Sequence, residues 1–300
     1  MQTRVLSETR GVQNQAVWRD YFALFKPRVM SLVVFTGLVG ALLAPGRLML
    51  QELVLAVTCI AVGAGAAGAL NMWYERDLDA LMARTKNRPL PAGRVEPVAA
   101  LALGTGLAII SVLVLGFAVN WVAGLLLAAT IVFYVAIYTI WLKPRTPQNI
   151  VIGGAAGAAP PLIGWAAVTG DVSFAALVLF AIIFVWTPPH FWALALYRRE
   201  DYARARIPML PVVAGTAATI RQMLAYAVVL VPLSMAPLAV GIAGRGYAAV
   251  AVVLVLAYLA TIIDLARAPS EVRARRAFRF SIIYLAGIFA ALLFEGVVGK

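Results

Sequence analysis

The chain has few charged residues, one histidine and one cysteine. Only 13% of its 300 residues are charged, 63% are hydrophobic, and the mean hydropathy is +0.92. A soluble domain of this composition would expose far more apolar surface than water tolerates, so the composition excludes a soluble globular protein. The single cysteine, Cys59, excludes an internal disulfide.

Nine apolar runs are long enough to be membrane-spanning helices, and they predict an all-α, polytopic membrane protein. We expect about nine transmembrane helices around a central cavity that opens to the cytoplasmic face. No break in composition separates a second domain, so residues 1–300 are predicted to form one integral-membrane domain, with a polar cytoplasmic tail at residues 1–24. The runs are Val29–Leu43, Leu53–Asn71, Val98–Val119, Trp121–Leu142, Ile150–Val168, Phe174–Leu196, Gln222–Ala243, Tyr247–Ile263 and Phe280–Val298.

The basic residues fall on one side of this predicted topology. The formal net charge is +12, and with the N-terminus inside, 22 of the 25 Lys and Arg lie in segments predicted to be inside. This positive-inside pattern predicts a cytoplasmic N-terminus and an external C-terminus. We expect the membrane to be a bacterial cytoplasmic (inner) membrane. The positive charge is therefore mainly topological, and we expect a lipid bilayer rather than nucleic acid as the partner.

Three oxygen-bearing side chains recur where the second predicted span ends. Asn71, Glu75 and Asp79 are four residues apart and would cover only about 80° of a helix surface. If the helix continues past Asn71, all three side chains point into one groove, while Asp77 faces another side. One amide and two carboxylates are hard oxygen ligands with room for phosphate oxygens, which suits Mg²⁺.

Cationic side chains follow this stripe and predict a diphosphate site, because Arg and Lys bind phosphate oxygens. The candidates are Arg84, Lys86 and Arg88 in the loop after the second span, which we call the first loop, with Lys143 and Arg145 in the loop after the fourth span. A solvated loop is the alternative interpretation of the first loop, and topological anchoring that of Lys143 and Arg145. Asn149, at the start of the fifth span, is a polar candidate to line the cavity and bind substrate.

A second inner loop follows the sixth span and carries the only histidine. His190 and Asp201 would lie within about 20° of each other on a helix beginning at Pro188–Pro189. Because both acidic loops follow even-numbered spans, we expect them to converge on one cavity. Asp201 is therefore predicted to join Asn71, Glu75 and Asp79 as a catalytic and metal-binding residue.

His190 and Tyr197 on this stripe are further candidates for substrate binding. Arg198, about 60° from Asp201 on the same helix, is a third candidate because it could reach the same cavity mouth. His190 could contact a polar substrate, coordinate its metal or relay a proton. A hydrogen-bonded structural histidine is the alternative interpretation.

These motifs resemble the UbiA-type intramembrane prenyltransferases. The resemblance lies in Asn71-x-x-x-Glu75-x-x-x-Asp79 followed by Arg84-Thr85-x-x-Arg88-Pro89-Leu90, although Asp is commoner in the family where this chain has Glu75. Two further stretches are similar to the heme-farnesylating branch of that superfamily. They are Asn149–Trp165, and the stretch from WTPPHFWALALY (186–197) through IPMLP (207–211).

The resemblance implies a Mg²⁺-dependent enzyme that transfers a farnesyl group from farnesyl diphosphate to a vinyl group of protoheme IX, with water addition, giving heme O. It also implies His190 and Tyr197 as heme contacts and a downstream partner that makes heme A. Two alternatives remain open, a quinone-precursor prenyltransferase and a secondary transporter. Quinone-type members carry several aspartates in the second loop, whereas this chain has only Glu200 and Asp201 there.

Overall fold

The protein, seen in a computed structural model that describes residues 17–298, consists in that range of helices joined by turns and loops, with no β-strand. The helix α5 continues directly as a π-helix, Phe133–Leu142. The helices are α1 (Trp18–Leu24), α2 (Pro27–Leu43), α3 (Leu50–Ala80), α4 (Pro97–Ala118), α5 (Trp121–Val132), α6 (Asn149–Thr169), α7 (Phe174–Tyr197), α8 (Arg199–Arg204), α9 (Leu210–Val213), α10 (Gly215–Leu233), α11 (Ala236–Ala239), α12 (Arg245–Arg267) and α13 (Glu271–Val298).

The predicted number of spans is confirmed. Among the described residues, eight helical segments are long and apolar enough to cross a membrane, and a ninth is formed if α1 and α2, bent by 53°, count as one span. The short first run therefore does extend toward the N-terminus. Of the predicted polar tail, residues 1–16 lie outside the described range, and Trp18–Leu24 is helical.

Three predicted boundaries change. The helix α3 continues past Asn71 to Ala80, as the interpretation of the stripe required. The helix α13 begins at Glu271, so the basic segment before Phe280 is helical rather than a loop. The predicted helix start at Pro188–Pro189 is wrong, because α7 runs through both prolines. Neighbouring helices α6, α10 and α13 pack around α7, and such packing supports a helix whose proline residues lack backbone donors.

Small residues bring the helices close enough to build the site. A Cβ atom at Gly65 on α3 would lie 2.5 Å from Phe25, in the break between α1 and α2. A Cβ atom at Gly153 on α6 would lie 2.2 Å from the ring of Tyr138 on the π-helix. At these positions the absence of a side chain lets neighbouring segments approach closely, and these approaches hold the α1–α2 break and the π-helix around the end of α3.

Candidate active site

One buried face of α3 carries the three predicted oxygen ligands. Asn71 is 3% exposed, Glu75 5% and Asp79 1%, whereas the Asp77 side chain is 90% exposed. The helical spacing therefore separates the acidic residues as predicted. We call Asn71, Glu75 and Asp79 the polar face of α3.

A cation from a different part of the chain contacts each residue of this face. Lys26 Nζ lies 2.6 Å from Asn71 Oδ1, Lys143 Nζ lies 2.6 Å from Glu75 Oε2, and Arg88 Nη1 lies 2.7 Å from Asp79 Oδ2. Three cations thus face two carboxylates. The pairing explains how two carboxylates remain buried, because an unpaired buried charge is strongly unfavourable, and the excess positive charge favours an anionic ligand.

Lys26 is the functional candidate that the sequence analysis missed. It occupies the break between α1 and α2 in a left-handed conformation, with φ of 51°, which a residue other than glycine seldom adopts. The only sequence signal was a lysine directly before Pro27 at the inner end of a span, and topology alone explains that position. Its contact with Asn71 becomes visible only when α1 and α2 fold against α3.

The π-helix supplies a second wall of the site. Asn71 Nδ2 donates to Thr139 Oγ1 at 3.0 Å, and the rings of Tyr134 and Tyr138 stack at 5.3 Å. Lys143 N donates to Tyr138 O at 2.9 Å, a bond across five residues that closes the π-helix and fixes the position of Lys143. Burial lowers the pKa of Lys143, but the Glu75 carboxylate outweighs burial and raises it overall, so the ammonium stays charged.

The polar face fits a divalent cation. Asp79 Oδ1 is buried without a hydrogen-bond partner, so an acceptor oxygen remains available beside the oxygens that Lys26 and Lys143 now contact. No group of three or more His, Cys, Asp or Glu lies together among the described residues. The donor set is therefore two carboxylates and one amide, to which Mg²⁺ would add phosphate oxygens and waters.

The remaining predicted substrate-binding residues near this face have three different environments. Arg84 and Lys86 are exposed on the first loop. Arg145 instead donates to the carbonyl oxygens of Ile140 and Trp141 at 3.0 and 3.1 Å, which stabilises the end of the π-helix. Asn149 is fully buried with Oδ1 unpartnered, and its Nδ2 donates to Thr146 O.

Asp201 lies on the second loop and contacts its own neighbours. Arg204 Nη2 approaches it at 2.5 Å and Arg198 Nη1 at 3.9 Å, while Ala83 N donates to it at 3.4 Å. The Ala83 bond joins the second loop to the first, as expected for converging loops. The structure does not group Asp201 with Glu75 and Asp79 within the described range, so its place among the metal ligands stays a prediction.

The predicted alignment of His190 with Asp201 fails, because α7 ends at Tyr197 and Arg198 separates it from α8. His190 lies within α7, and its side chain packs against α13. Its ring stacks on Trp186 at 4.3 Å and on Phe278 at 4.7 Å, and Nδ1 lies 2.6 Å from Ser281 Oγ.

An open cavity of about 820 Å³ lies beside the second loop. It is bordered by α8, by the ends of α7 and α12, and by the beginnings of α10 and α13. Its lining residues include Tyr197, Arg198, Asp201 and Arg204. Ala83 also lines it, so the cavity adjoins the loop that continues from the polar face of α3.

Comparison with known proteins identifies the family. A family model described as the UbiA prenyltransferase family matches residues 33–288. The chain belongs to the UbiA prenyltransferase family.

Relatives in this family match over nearly the whole chain. A protein from Brucella ovis named protoheme IX farnesyltransferase is 55% identical over 304 residues, which cover 100% of this chain and 97% of the relative. A protein of the same name from Azorhizobium caulinodans is 56% identical, over 93% of this chain and 92% of the relative.

Solved structures share the fold at low identity. A digeranylgeranylglyceryl phosphate synthase superposes with a TM-score of 0.78 at 16% identity, over 93% of this chain and 98% of that chain. A UbiA homologue from Archaeoglobus fulgidus bound to GPP and Mg²⁺ superposes with a TM-score of 0.65 at 19% identity, over 91% and 99%. Family membership and the apolar helices together make this an integral membrane protein and a prenyltransferase.

Proposed function

We propose that this UbiA-family enzyme transfers the farnesyl group of farnesyl diphosphate to a vinyl group of protoheme IX, with addition of water, to give heme O. The observation that carries the proposal is the identity of 55% along the full chain to relatives named protoheme IX farnesyltransferase. The second loop supports it, since Glu200 and Asp201 are its only acidic residues. An enzyme that converts heme O to heme A would be the downstream partner.

The polar face of α3 is the proposed site for the diphosphate. Glu75, Asp79 and the Asn71 amide oxygen would hold Mg²⁺, which would neutralise negative charge on the diphosphate as the allylic C–O bond breaks. Lys26, Lys143 and Arg88 already surround this face. Their ammonium and guanidinium groups can bind the leaving diphosphate, and exposed Arg84 and Lys86 add positive charge at the entrance.

The farnesyl chain and the acceptor need an apolar environment next to this face. The helices around it are lined mainly by hydrophobic side chains, and such an interior keeps water from the allylic cation until the vinyl carbon of the heme attacks it. Water must still reach the new cation on the heme side, where the open 820 Å³ cavity lies. We therefore place the acceptor on the α7–α13 side of the first loop.

The proposed orientation has the N-terminus in the cytoplasm and the C-terminus outside the inner membrane. It can be tested by replacing Cys59 with alanine and introducing single cysteines at exposed Ser270 and exposed Asp171. In intact cells, a membrane-impermeant maleimide should label Asp171→Cys and leave Ser270→Cys unlabelled. The reverse labelling would overturn the orientation.

An acceptor assay tests the proposed reaction. Purified protein would receive farnesyl diphosphate and Mg²⁺ with protoheme IX and 4-hydroxybenzoate offered together, and the products would be identified by mass spectrometry with and without chelator. We expect a chelator-sensitive heme adduct that carries farnesyl plus water. Farnesylated hydroxybenzoate with unchanged heme would assign the enzyme to quinone-precursor synthesis, and substrate flux without any adduct would favour transport.

A further inference from the structure

We propose that His190 binds the iron of the heme substrate through Nε2 and that Ser281 fixes the tautomer this requires. The inference deepens the proposed function and rests on it, because it takes protoheme IX as the acceptor. It assigns a positioning role to Ser281, a fully buried residue of α13 that the sequence analysis did not single out.

The hydrogen bonds of Ser281 determine which ring nitrogen of His190 carries the proton. Ser281 Oγ donates its one proton to Phe278 O at 2.6 Å. It can therefore only accept in its 2.6 Å contact with His190 Nδ1, so Nδ1 must carry a hydrogen. In a neutral imidazole Nε2 then holds a lone pair, the form in which histidine binds a metal.

Ser281 also fixes the ring beside His190. Trp186 Nε1 donates to Ser281 O at 2.8 Å, and Trp186 stacks on one face of the imidazole while Phe278 stacks on the other. The ring cannot rotate without losing these contacts, and the Ser281 bond occupies one nitrogen. A hydrogen bond to the non-ligating nitrogen orients a metal-binding histidine and raises its basicity.

The surroundings of His190 favour a metal ligand over a general base. The groups that contact its ring in the described part of the chain are the aromatic rings of Trp186, Phe191 and Phe278 and the Ser281 hydroxyl. None of them is charged, and the Ser281 hydroxyl donates onward only to the carbonyl oxygen of Phe278, so these contacts include no ionisable group that could take the proton. An apolar surrounding also suits the flat apolar ring of a porphyrin.

An aromatic row links His190 to the large cavity. Tyr197, which lines that cavity, packs edge-on against Phe278 at 6.0 Å, and Phe278 stacks on His190. The guanidinium of Arg275 lies 4.8 Å from the centre of the Tyr197 ring, and Arg198 lies at the same wall. A porphyrin beside this row would have guanidinium groups near the cavity for its propionates and His190 further inside for its iron.

Resonance Raman spectroscopy of ferrous protoheme bound to the purified protein tests the iron contact. His190 is the only histidine of the chain, so protein freed of any histidine tag and grown with ¹⁵N-histidine carries the label at one residue. We expect an iron–nitrogen stretching band that moves to lower frequency with the label. A bound heme whose spectrum does not respond to the label would overturn the proposal, whatever the variants show.

Variants test the role of Ser281. His190→Ala should remove the band, and added imidazole should restore it. Ser281→Ala should weaken heme binding by about tenfold to a hundredfold, the usual effect of losing a partner of a metal-binding histidine, while Ser281→Thr should retain it. Thr187→Ser, at a buried position of α7, the helix that carries His190, is the control and should leave the band unchanged. Equal binding in Ser281→Ala and the control would refute the positioning role.

The acceptor assay on the same preparation separates this inference from the proposed function. Farnesylated heme without a label-sensitive band contradicts only the iron contact. Heme that is neither bound nor farnesylated by folded protein contradicts both, since the acceptor itself would then be wrong.

Discussion

The polar residues at the end of α3 and the acidic residue just beyond α7 differ in how far along the chain their cationic partners lie. Glu75 and Asn71 on α3 receive cations from residues 68 and 45 positions away in the chain, and the whole face is buried. Asp201, just beyond α7, is held by Arg204 only three residues on, an arginine side chain that is 60% exposed. The cation contacts of α3 need the folded bundle, whereas the Arg204–Asp201 ion pair needs only a helical turn. Asp201 is nevertheless buried and also accepts from Ala83 N of the first loop.

This difference indicates that the two regions suit different ligands. The buried face of α3, with excess positive charge around it, suits a metal and a diphosphate. The region around α7 offers an open cavity, arginines and a row of aromatic rings, which suits a larger, flat acceptor with carboxylates. We therefore interpret the two regions as a donor site and an acceptor site that share the Ala83–Asp201 contact.

The largest expected effect concerns the polar face of α3. Glu75→Gln and Asp79→Asn should each lower kcat by about a hundredfold or more, because they weaken the binding of the Mg²⁺ that would neutralise the leaving diphosphate. Asp77→Asn, on the exposed side of the same helix, is the matched control and should remain near wild type. Turnover is measured by heme product formation, and equal loss in all three variants would contradict the one-face arrangement.

A second comparison is between Lys143 and Arg145, because both were predicted to bind phosphate but only Lys143 contacts Glu75. Lys143→Gln leaves a buried carboxylate without its partner, which costs about 3–5 kcal/mol of stability and should lower turnover as well. Arg145→Gln loses only hydrogen bonds at the exposed end of the π-helix, so we expect a fall of about 1 kcal/mol. Denaturant unfolding in detergent measures the stability of both variants. A larger loss of stability in Arg145→Gln than in Lys143→Gln would contradict the assignment of Lys143 to the buried contact with Glu75.

Variants of Lys26 and Arg28 test whether the break between α1 and α2 contributes to binding of farnesyl diphosphate. Lys26→Gln should raise the KM for farnesyl diphosphate about tenfold, the effect of losing one charge-assisted hydrogen bond. Arg28 is exposed on α2, and Arg28→Gln should leave the KM unchanged. Steady-state kinetics with farnesyl diphosphate varied at saturating heme distinguishes the two, and an unchanged KM in Lys26→Gln would exclude Lys26 from the donor site.

The smallest effect is expected at Asp201. Asp201→Asn keeps an acceptor for Ala83 N and leaves unpaired mainly Arg204, whose side chain is 60% exposed. Because water solvates that arginine, the variant should lower turnover by about fivefold at most. The Mg²⁺ concentration for half-maximal turnover should stay the same. A loss as large as that of Asp79→Asn, with a raised Mg²⁺ requirement, would instead make Asp201 a metal ligand and merge the two sites.

Local periodicity predicted what depends on a single helix. The spans, the continuation of α3 past Asn71 and the separation of Asp77 from the polar face all follow from apolar run length and the spacing of Asn71, Glu75 and Asp79. These features needed no knowledge of neighbouring helices. The family resemblance to UbiA-type prenyltransferases was confirmed by the family match and the full-length relatives.

Contacts between distant segments could not be predicted in this way. Lys26 reaches Asn71 only because Gly65 lets the α1–α2 break lie against α3. The break at Arg198 gave no clear signal either, whereas the two prolines before His190 gave a misleading one. Ser281 is an ordinary serine in an apolar helix, and its importance appears only with its contacts to His190 and Trp186 across two helices.

Separate binding measurements on one set of variants test the division between donor and acceptor sites most directly. Farnesyl diphosphate binding in the presence of Mg²⁺ would be measured by calorimetry, and protoheme binding by absorption spectroscopy, for wild type, Glu75→Gln and His190→Ala. We predict that Glu75→Gln loses farnesyl diphosphate binding and keeps heme binding, while His190→Ala does the reverse. Loss of both ligands in either folded variant would contradict the account and show that one shared site takes both substrates.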